Sequence, residues 1–223
     1  MNAGFIISEY YTRACPLREN RFIIGTSLRI IVPPMAHSEK KLKYDLAIAK
    51  YSKLIREQPD DYRSYNNRGI AYQKTGQYDL AIRNYTKALE IRPDFFLAYI
   101  NRGNAYQEIG DLEAALSDYD KAIDVNPGND MAYNNRGFHF ILMGRLAEAE
   151  RDIRKSLEIN PDNVYAHNSM CELYAALNQP EEACRWLREA VKKGYTNWQY
   201  IKTSKTYANI RAFPAFQKIT EGK

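Results

Sequence analysis

Four side chains raise the question of chemistry first: His139, His167, Cys171 and Cys184. His167 and Cys171 stand four apart, which on a helix puts them on one face. Cys184 on a facing helix would add a third soft ligand of the kind zinc accepts. The set lacks a fourth ligand, and the surrounding pattern explains each member otherwise. His139 falls where Ala71 and Ala105 recur, and His167 falls where Tyr65, Tyr99 and Tyr133 recur, so both read as packed histidines. Cysteine is itself a common small buried residue. Glu181 and Glu182 read as the solvated start of a helix rather than as a general acid and base. The chain has no phosphate-cradling glycine loop and no nucleophile elbow. These patterns predict no catalytic residue, no metal and no cofactor, hence not an enzyme.

The elements that hold these residues must be deduced from composition and period. The chain has 223 residues, 45% hydrophobic and 26% charged, enough apolar material for a core and too much for wholesale disorder. Eighteen tyrosines beside two tryptophans point to a recurring slot for an amphipathic ring. The net charge of +5 is a feature of the ends: residues 1–61 carry +3, residues 62–197 carry −2 and residues 198–223 carry +4. The central block therefore lacks the positive footprint that phosphate neutralisation needs, which argues against nucleic acid as a partner. No stretch approaches the roughly eighteen apolar residues that cross a bilayer, which argues against a membrane protein. Three scattered cysteines without CxxC fit reduced thiols and a cytoplasmic location.

The decisive signal is a period of 34 residues. Gly69, Gly103 and Gly137 recur with Cys171 in the next slot. Tyr72, Tyr106, Phe140 and Tyr174 recur likewise, as do Ala81, Ala115, Ala149 and Ala183. Pro59, Pro93, Pro127 and Pro161 close the pattern, and Tyr195 takes the last proline's place. Tyr65, Gly69 and Tyr72 lie at i, i+4 and i+7, one stripe of a helix, and Ala81, Tyr85 and Ala88 form a matching stripe on a second. Gly76, Gly110, Gly144 and Asn178 sit where a left-handed residue ends each first helix. Pro93, Pro127 and Pro161 then stop the second helices. The pattern predicts helices over 62–75, 78–91, 96–109, 112–125, 130–143, 146–159, 164–177 and 180–193.

These residues resemble the tetratricopeptide repeat (TPR) family, whose pattern is aromatic-x2-Leu-Gly-x2-Tyr, then Ala-x3-aromatic, then Pro. Here it reads Tyr65-x2-Arg68-Gly69-x2-Tyr72, Ala81-x3-Tyr85, Pro93, with arginine at 68, 102 and 136 in place of the usual leucine. The resemblance implies an all-α fold, a right-handed superhelical solenoid of stacked helix-turn-helix hairpins with a C-terminal capping segment. Four units are expected over 62–95, 96–129, 130–163 and 164–197, with a C-terminal cap over 198–223. Residues 38–61 are expected to form a capping helix or partial repeat. Tyr44, Ala47, Tyr51 and Pro59 keep the register of a second helix, and Ser38 is a candidate cap for one long helix. Residues 1–37 read as an N-terminal extension with three alternatives: an upstream segment before a true start at Met35, an unstructured or partly docked tail, or a weak export signal.

The resemblance also implies function: a non-catalytic scaffold that binds a partner protein or an extended peptide in its concave groove. The residue two before the recurring glycine points into that groove, namely Asn67, Asn101 and Asn135, with Ser169 in the fourth unit. Helices packed about 8–10 Å apart would present one amide to roughly every third residue of a peptide advancing about 3.3 Å per residue. Beside them the register places Asn66, Ile70, Leu97, Ile100, Asn104, Met131, Asn134 and Phe138. The asparagines can hold a peptide backbone or serve the hairpins themselves. The arginines likewise can face acidic groups of a partner or form a salt-bridged structural row. The inner positions lack the basic set with which some TPRs grip a C-terminal carboxylate. Two further function classes stay open: an assembly subunit using its convex face or tails, and a regulatory subunit of an enzyme.

Overall fold

The structure, a computed structural model, describes residues 35–221; the alternatives for residues 1–34, and Cys15, lie outside them. Among the described residues the chain is all helical, with eleven α-helices and one 3-10 turn. After α1 (Met35–Glu57) come four hairpins: α2 (Tyr62–Lys74) with α3 (Tyr78–Ile91), α4 (Phe96–Ile109) with α5 (Leu112–Val125), α6 (Asp130–Leu142) with α7 (Leu146–Ile159), and α8 (Val164–Ala176) with α9 (Pro180–Lys192). The chain then forms α10 (Trp198–Thr203), the 3-10 turn Lys205–Tyr207 and α11 (Pro214–Thr220). All eight hairpin helices start where the 34-residue pattern puts them and end within one residue of it.

Local chemistry explains these limits. Gly76, Gly110 and Gly144 turn the chain at φ of 76°, 82° and 73°, and Asn178 does the same at 57° in the fourth hairpin. Asp111, Asn129 and Asn163 each accept a backbone N–H of the helix that follows. Pro180 occupies the first turn of α9, followed there by Glu181 and Glu182.

Within each hairpin a small residue admits a large one. A β-carbon on Gly69 would lie 2.6 Å from the Tyr85 ring, and one on Gly137 would lie 2.7 Å from Ile153. In the fourth hairpin Cys171 fills the glycine slot and Leu187 the opposing one, both fully buried in one apolar cluster. Second helices pack against the next first helix, and successive first helices α2, α4, α6 and α8 also touch, making one continuous wall.

The arginines at 68, 102 and 136 form a structural row. Each reaches the second helix of its own hairpin, sixteen residues ahead, and the helix that precedes that hairpin, sixteen residues behind. Arg68 donates to Asn84 (2.8 Å) and Ser52 (3.1 Å). Arg102 holds Asp118 with two bonds (2.8 and 2.7 Å) and donates to Thr86 (2.9 Å). Arg136 holds Asp152 (2.6 and 3.0 Å) and Asp120 (2.7 Å). The guanidinium carbons also lie 5.6, 5.7 and 5.8 Å from the ring centroids of Tyr65, Tyr99 and Tyr133. The partners change from neutral at Arg68, to one carboxylate at Arg102, to two at Arg136. In the fourth hairpin the slot is taken by Met170, which shares an apolar cluster with Trp186.

The ends depart from the pattern. α1 is one unbroken helix of 23 residues that begins before Ser38, so Ser38 lies inside it instead of capping it. Ser52 ties α1 to the first hairpin through Arg68. α10 begins where a further first helix would, but stops after six residues at Ser204, whose backbone is extended (ψ 138°). α10 and the segment after it pack Ile201, Tyr207, Ile210 and Phe216 into the same cluster as Cys171, Cys184 and Leu187.

Candidate functional site

The four residues that suggested chemistry are all buried. His139 is fully buried, its Nε2 2.8 Å from the Leu112 carbonyl and its Nδ1 2.9 Å from the Gln107 amide. It therefore bonds α6 to the preceding hairpin, and burial holds its pKa below the ordinary imidazole value. His167 is buried, with Nδ1 2.9 Å from the Asn163 carbonyl and its ring 5.7 Å from that of Trp186. Cys171 and Cys184 are free and buried, and burial pushes both thiols up, away from reactivity. Among the described residues, no three His, Cys, Asp or Glu side chains are grouped to hold a metal ion. No described helix is long and apolar enough to cross a membrane.

The inner wall of α2, α4, α6 and α8 carries a line of amides. Asn67, Asn101 and Asn135 are half-buried. Asn101 donates to Asn66 Oδ1 (3.0 Å) and Asn135 donates to Asn104 Oδ1 (3.2 Å), so the amides connect one hairpin to the next. Tyr119 Oη also donates to Asn104 Oδ1 (2.8 Å). Asn66, Ile100 and Asn134 lie deeper, at 5%, 4% and 6% exposure, between the helices instead of on the open wall. Ile70, Leu97, Asn104 and Phe138 are half-buried, and Met131 is exposed. Ser169, the expected fourth rung, is buried at 4% exposure. The open line of rungs therefore spans three hairpins.

Beside Ser169 the wall ends in a pocket of about 240 Å³. α6 contributes Asn134, Asn135 and Phe138; α8 contributes Tyr165 and Glu172; the stretch after α9 contributes Tyr195 and Tyr200. Glu172 is 2% exposed, and its carboxylate accepts from Tyr200 Oη (2.7 Å), Thr206 Oγ1 (2.7 Å) and Asn168 Nδ2 (3.0 Å). Burial raises its pKa to about 7, against the pull of these three donors. Tyr207 Oη completes the cluster by donating to Asn168 Oδ1 (2.6 Å). Asn134 Oδ1 is buried and has no hydrogen-bond partner.

The pocket was not visible in the sequence pattern, although Glu172 carried a signal. It occupies the row of Ile70, Asn104 and Phe138, where a carboxylate is out of keeping with apolar and amide neighbours.

Residues 62–95 and 96–129 each match one tetratricopeptide repeat family model, and residues 140–204 match another. The chain belongs to the tetratricopeptide repeat family. The first TPR domain of human RPAP3 is 32% identical, with a TM-score of 0.51 over 53% of this chain and 94% of that one. TTC0263, a TPR protein of Thermus thermophilus, is 22% identical, with a TM-score of 0.64 over 78% of this chain and 94% of that one. MamA of Desulfovibrio magneticus RS-1 is 18% identical, with a TM-score of 0.58 over 71% of this chain and 92% of that one. No curated protein sequence matches the chain. A TPR array of this kind is a protein-interaction scaffold, and TPR domains bind protein or peptide partners.

Proposed function

We propose that this TPR array acts without catalysis and captures an extended peptide segment along the wall of α2, α4 and α6. The amides of Asn67, Asn101 and Asn135 read its backbone, and Ile70, Leu97, Met131 and Phe138 anchor its apolar side chains. One observation carries this reading: the rungs form a linked, half-buried line with spare bonding capacity. Asn101 and Asn135 each use one N–H on the neighbouring hairpin, while an amide offers two donors and two acceptor sites.

The first TPR of RPAP3 has been solved bound to the HSP90 peptide SRMEEVD. That ligand is acidic, whereas the wall rows of this chain are amide and apolar, and Arg68, Arg102 and Arg136 are engaged within the fold. We therefore assign an extended segment rich in apolar side chains and not an acidic tail.

The test is to select peptides from a random display library with the full chain. Replacing Asn67, Asn101 and Asn135 together by Ala should weaken the selected peptides by about tenfold or more, since each hydrogen bond lost contributes about 1 kcal/mol. Far-UV circular dichroism should be unchanged. Equal affinity in the triple variant removes the rungs from the account.

A further inference from the structure

The pocket at the end of the wall combines features that the packing of a TPR hairpin does not require. Asn134 Oδ1 is an acceptor with no partner, on a side chain that is 6% exposed and lines the pocket. A buried acceptor left unsatisfied costs about 1–3 kcal/mol, so a donor supplied from outside would recover that loss. Glu172 lines the same pocket and is held by three neutral donors, with no cation among these hydrogen-bond partners. The lining also includes the polar side chains of Asn135, Asn168, Ser169 and Asn197, together with four aromatic rings. The Tyr165 and Tyr195 rings meet at 84° with centroids 6.0 Å apart, forming a corner, and Phe138 and Tyr200 line the same space. Aromatic faces, a carboxylate and an orphan acceptor together suit a group that is positively charged, carries N–H donors and has an apolar stem.

We propose that this pocket takes one lysine or arginine side chain of the segment bound along the wall. The inference rests on the groove reading above and adds a fixed point to it: the cation sets the register in which the segment lies against the rungs. Of the lining residues, Tyr165 is 64% exposed, while Glu172 and Asn134 are 2% and 6% exposed. The other titratable groups acting electrostatically with Glu172 are Cys171, Tyr195, Tyr200 and Tyr207. Burial raises all four above their ordinary values, so they are neutral near pH 7, and a cation seated in the pocket would favour the ionised form of Glu172.

The test uses N-acetyl-lysine methylamide as the probe, with N-acetyl-norleucine methylamide as its uncharged counterpart, titrated into the full chain and followed by NMR. The lysine probe should give saturable shifts at the Asn134 and Asn168 side-chain amides and the Tyr165 ring, and should bind about tenfold tighter than norleucine. Glu172→Gln should abolish that preference. Tyr165→Ala, at an exposed position that leaves the fold intact, should weaken the lysine probe alone. Equal shifts from both probes, shifts confined to other surfaces, or a Tyr165→Ala variant that binds as before would each overturn the proposal. The two readings fail separately. Loss of the lysine preference while the rung substitutions still weaken selected peptides removes the pocket only. Selected peptides indifferent to Asn67, Asn101 and Asn135 remove the groove reading whatever the probe does.

Discussion

Arg102 grips Asp118 with two hydrogen bonds of 2.8 and 2.7 Å, and the Asp118 side chain is 5% exposed. Burial lifts the Asp118 carboxyl above its ordinary range even though the guanidinium pulls it down, so the pair stands against a substantial desolvation cost. Arg102→Met should therefore destabilise the chain by about 3 kcal/mol, because it strands a buried carboxylate. Arg102→Met combined with Asp118→Leu should recover most of that loss. Urea unfolding of the two variants checks both statements; equal instability would assign the effect to arginine packing.

Gly137 makes a second, steric joint. A β-carbon there would lie 2.7 Å from Ile153 Cγ1 and 3.2 Å from both the Ala149 carbonyl oxygen and the Ile153 backbone nitrogen. Two of these neighbours are backbone and cannot rotate away, so Gly137→Ala should cost about 1–3 kcal/mol. Pairing it with Ile153→Ala should relieve the side-chain part only. A thermal melt of the single and double variants measures this.

Two buried groups give opposite pH dependences. Glu172 has its folded pKa raised to about 7, above the 4.5 of a free glutamate, so the folded state takes up its proton first. Stability from this group grows as pH falls from about 7 to 4.5, by at most about 3 kcal/mol for a shift of this size. His139 has its folded pKa lowered from 6.5 by burial, so the unfolded chain protonates first and stability from it is lost as pH falls below 6.5. Denaturant midpoints between pH 5 and pH 8 should fall with rising pH for wild type relative to Glu172→Gln. Relative to His139→Gln they should rise. Parallel curves would contradict the assignment.

Removing residues 195–223 should act locally. Glu172 would lose Tyr200 and Thr206, Asn168 would lose Tyr207, and the Ala175 carbonyl would lose Asn209. In an array coupled through nearest neighbours, the last hairpin should open while the distant ones hold. Hydrogen exchange should show lost protection in α8 and α9 with α2 to α5 unchanged; uniform loss would contradict the local coupling.

The hairpins were legible because packing imposes the same small and aromatic slots every 34 residues. The role of the arginine row was only half legible. Its partners lie sixteen residues away across a turn, and their types change from Asn84 and Ser52 to Asp118 and Thr86 to Asp152 and Asp120, so an acid repeats only at Asp118 and Asp152 and the joint is marked in two units of the three. On the wall, the spacing identified the rows but not their depth: Asn66 and Asn67 are adjacent in sequence, yet one is buried and the other half-buried. The pocket depends on Tyr200 and Thr206, which belong to the stretch that abandons the period, and no register could place them beside Glu172.

The arginine joints also give the molecule a polarity. The first two hairpins bring both halves of the fitting, the guanidinium for their neighbours and an acceptor (Thr86, Asp120) for the next guanidinium, whereas the third has Arg154 in the acceptor slot and Met170 follows it. A copy of either of the first two would thus arrive ready to lock at either side, which suits growth by duplication. The number of carboxylate partners in these fittings rises from none at Arg68 to two at Arg136. The joints thus differ in kind along the array, from uncharged acceptors toward its amino-terminal side to paired carboxylates toward its carboxy-terminal side.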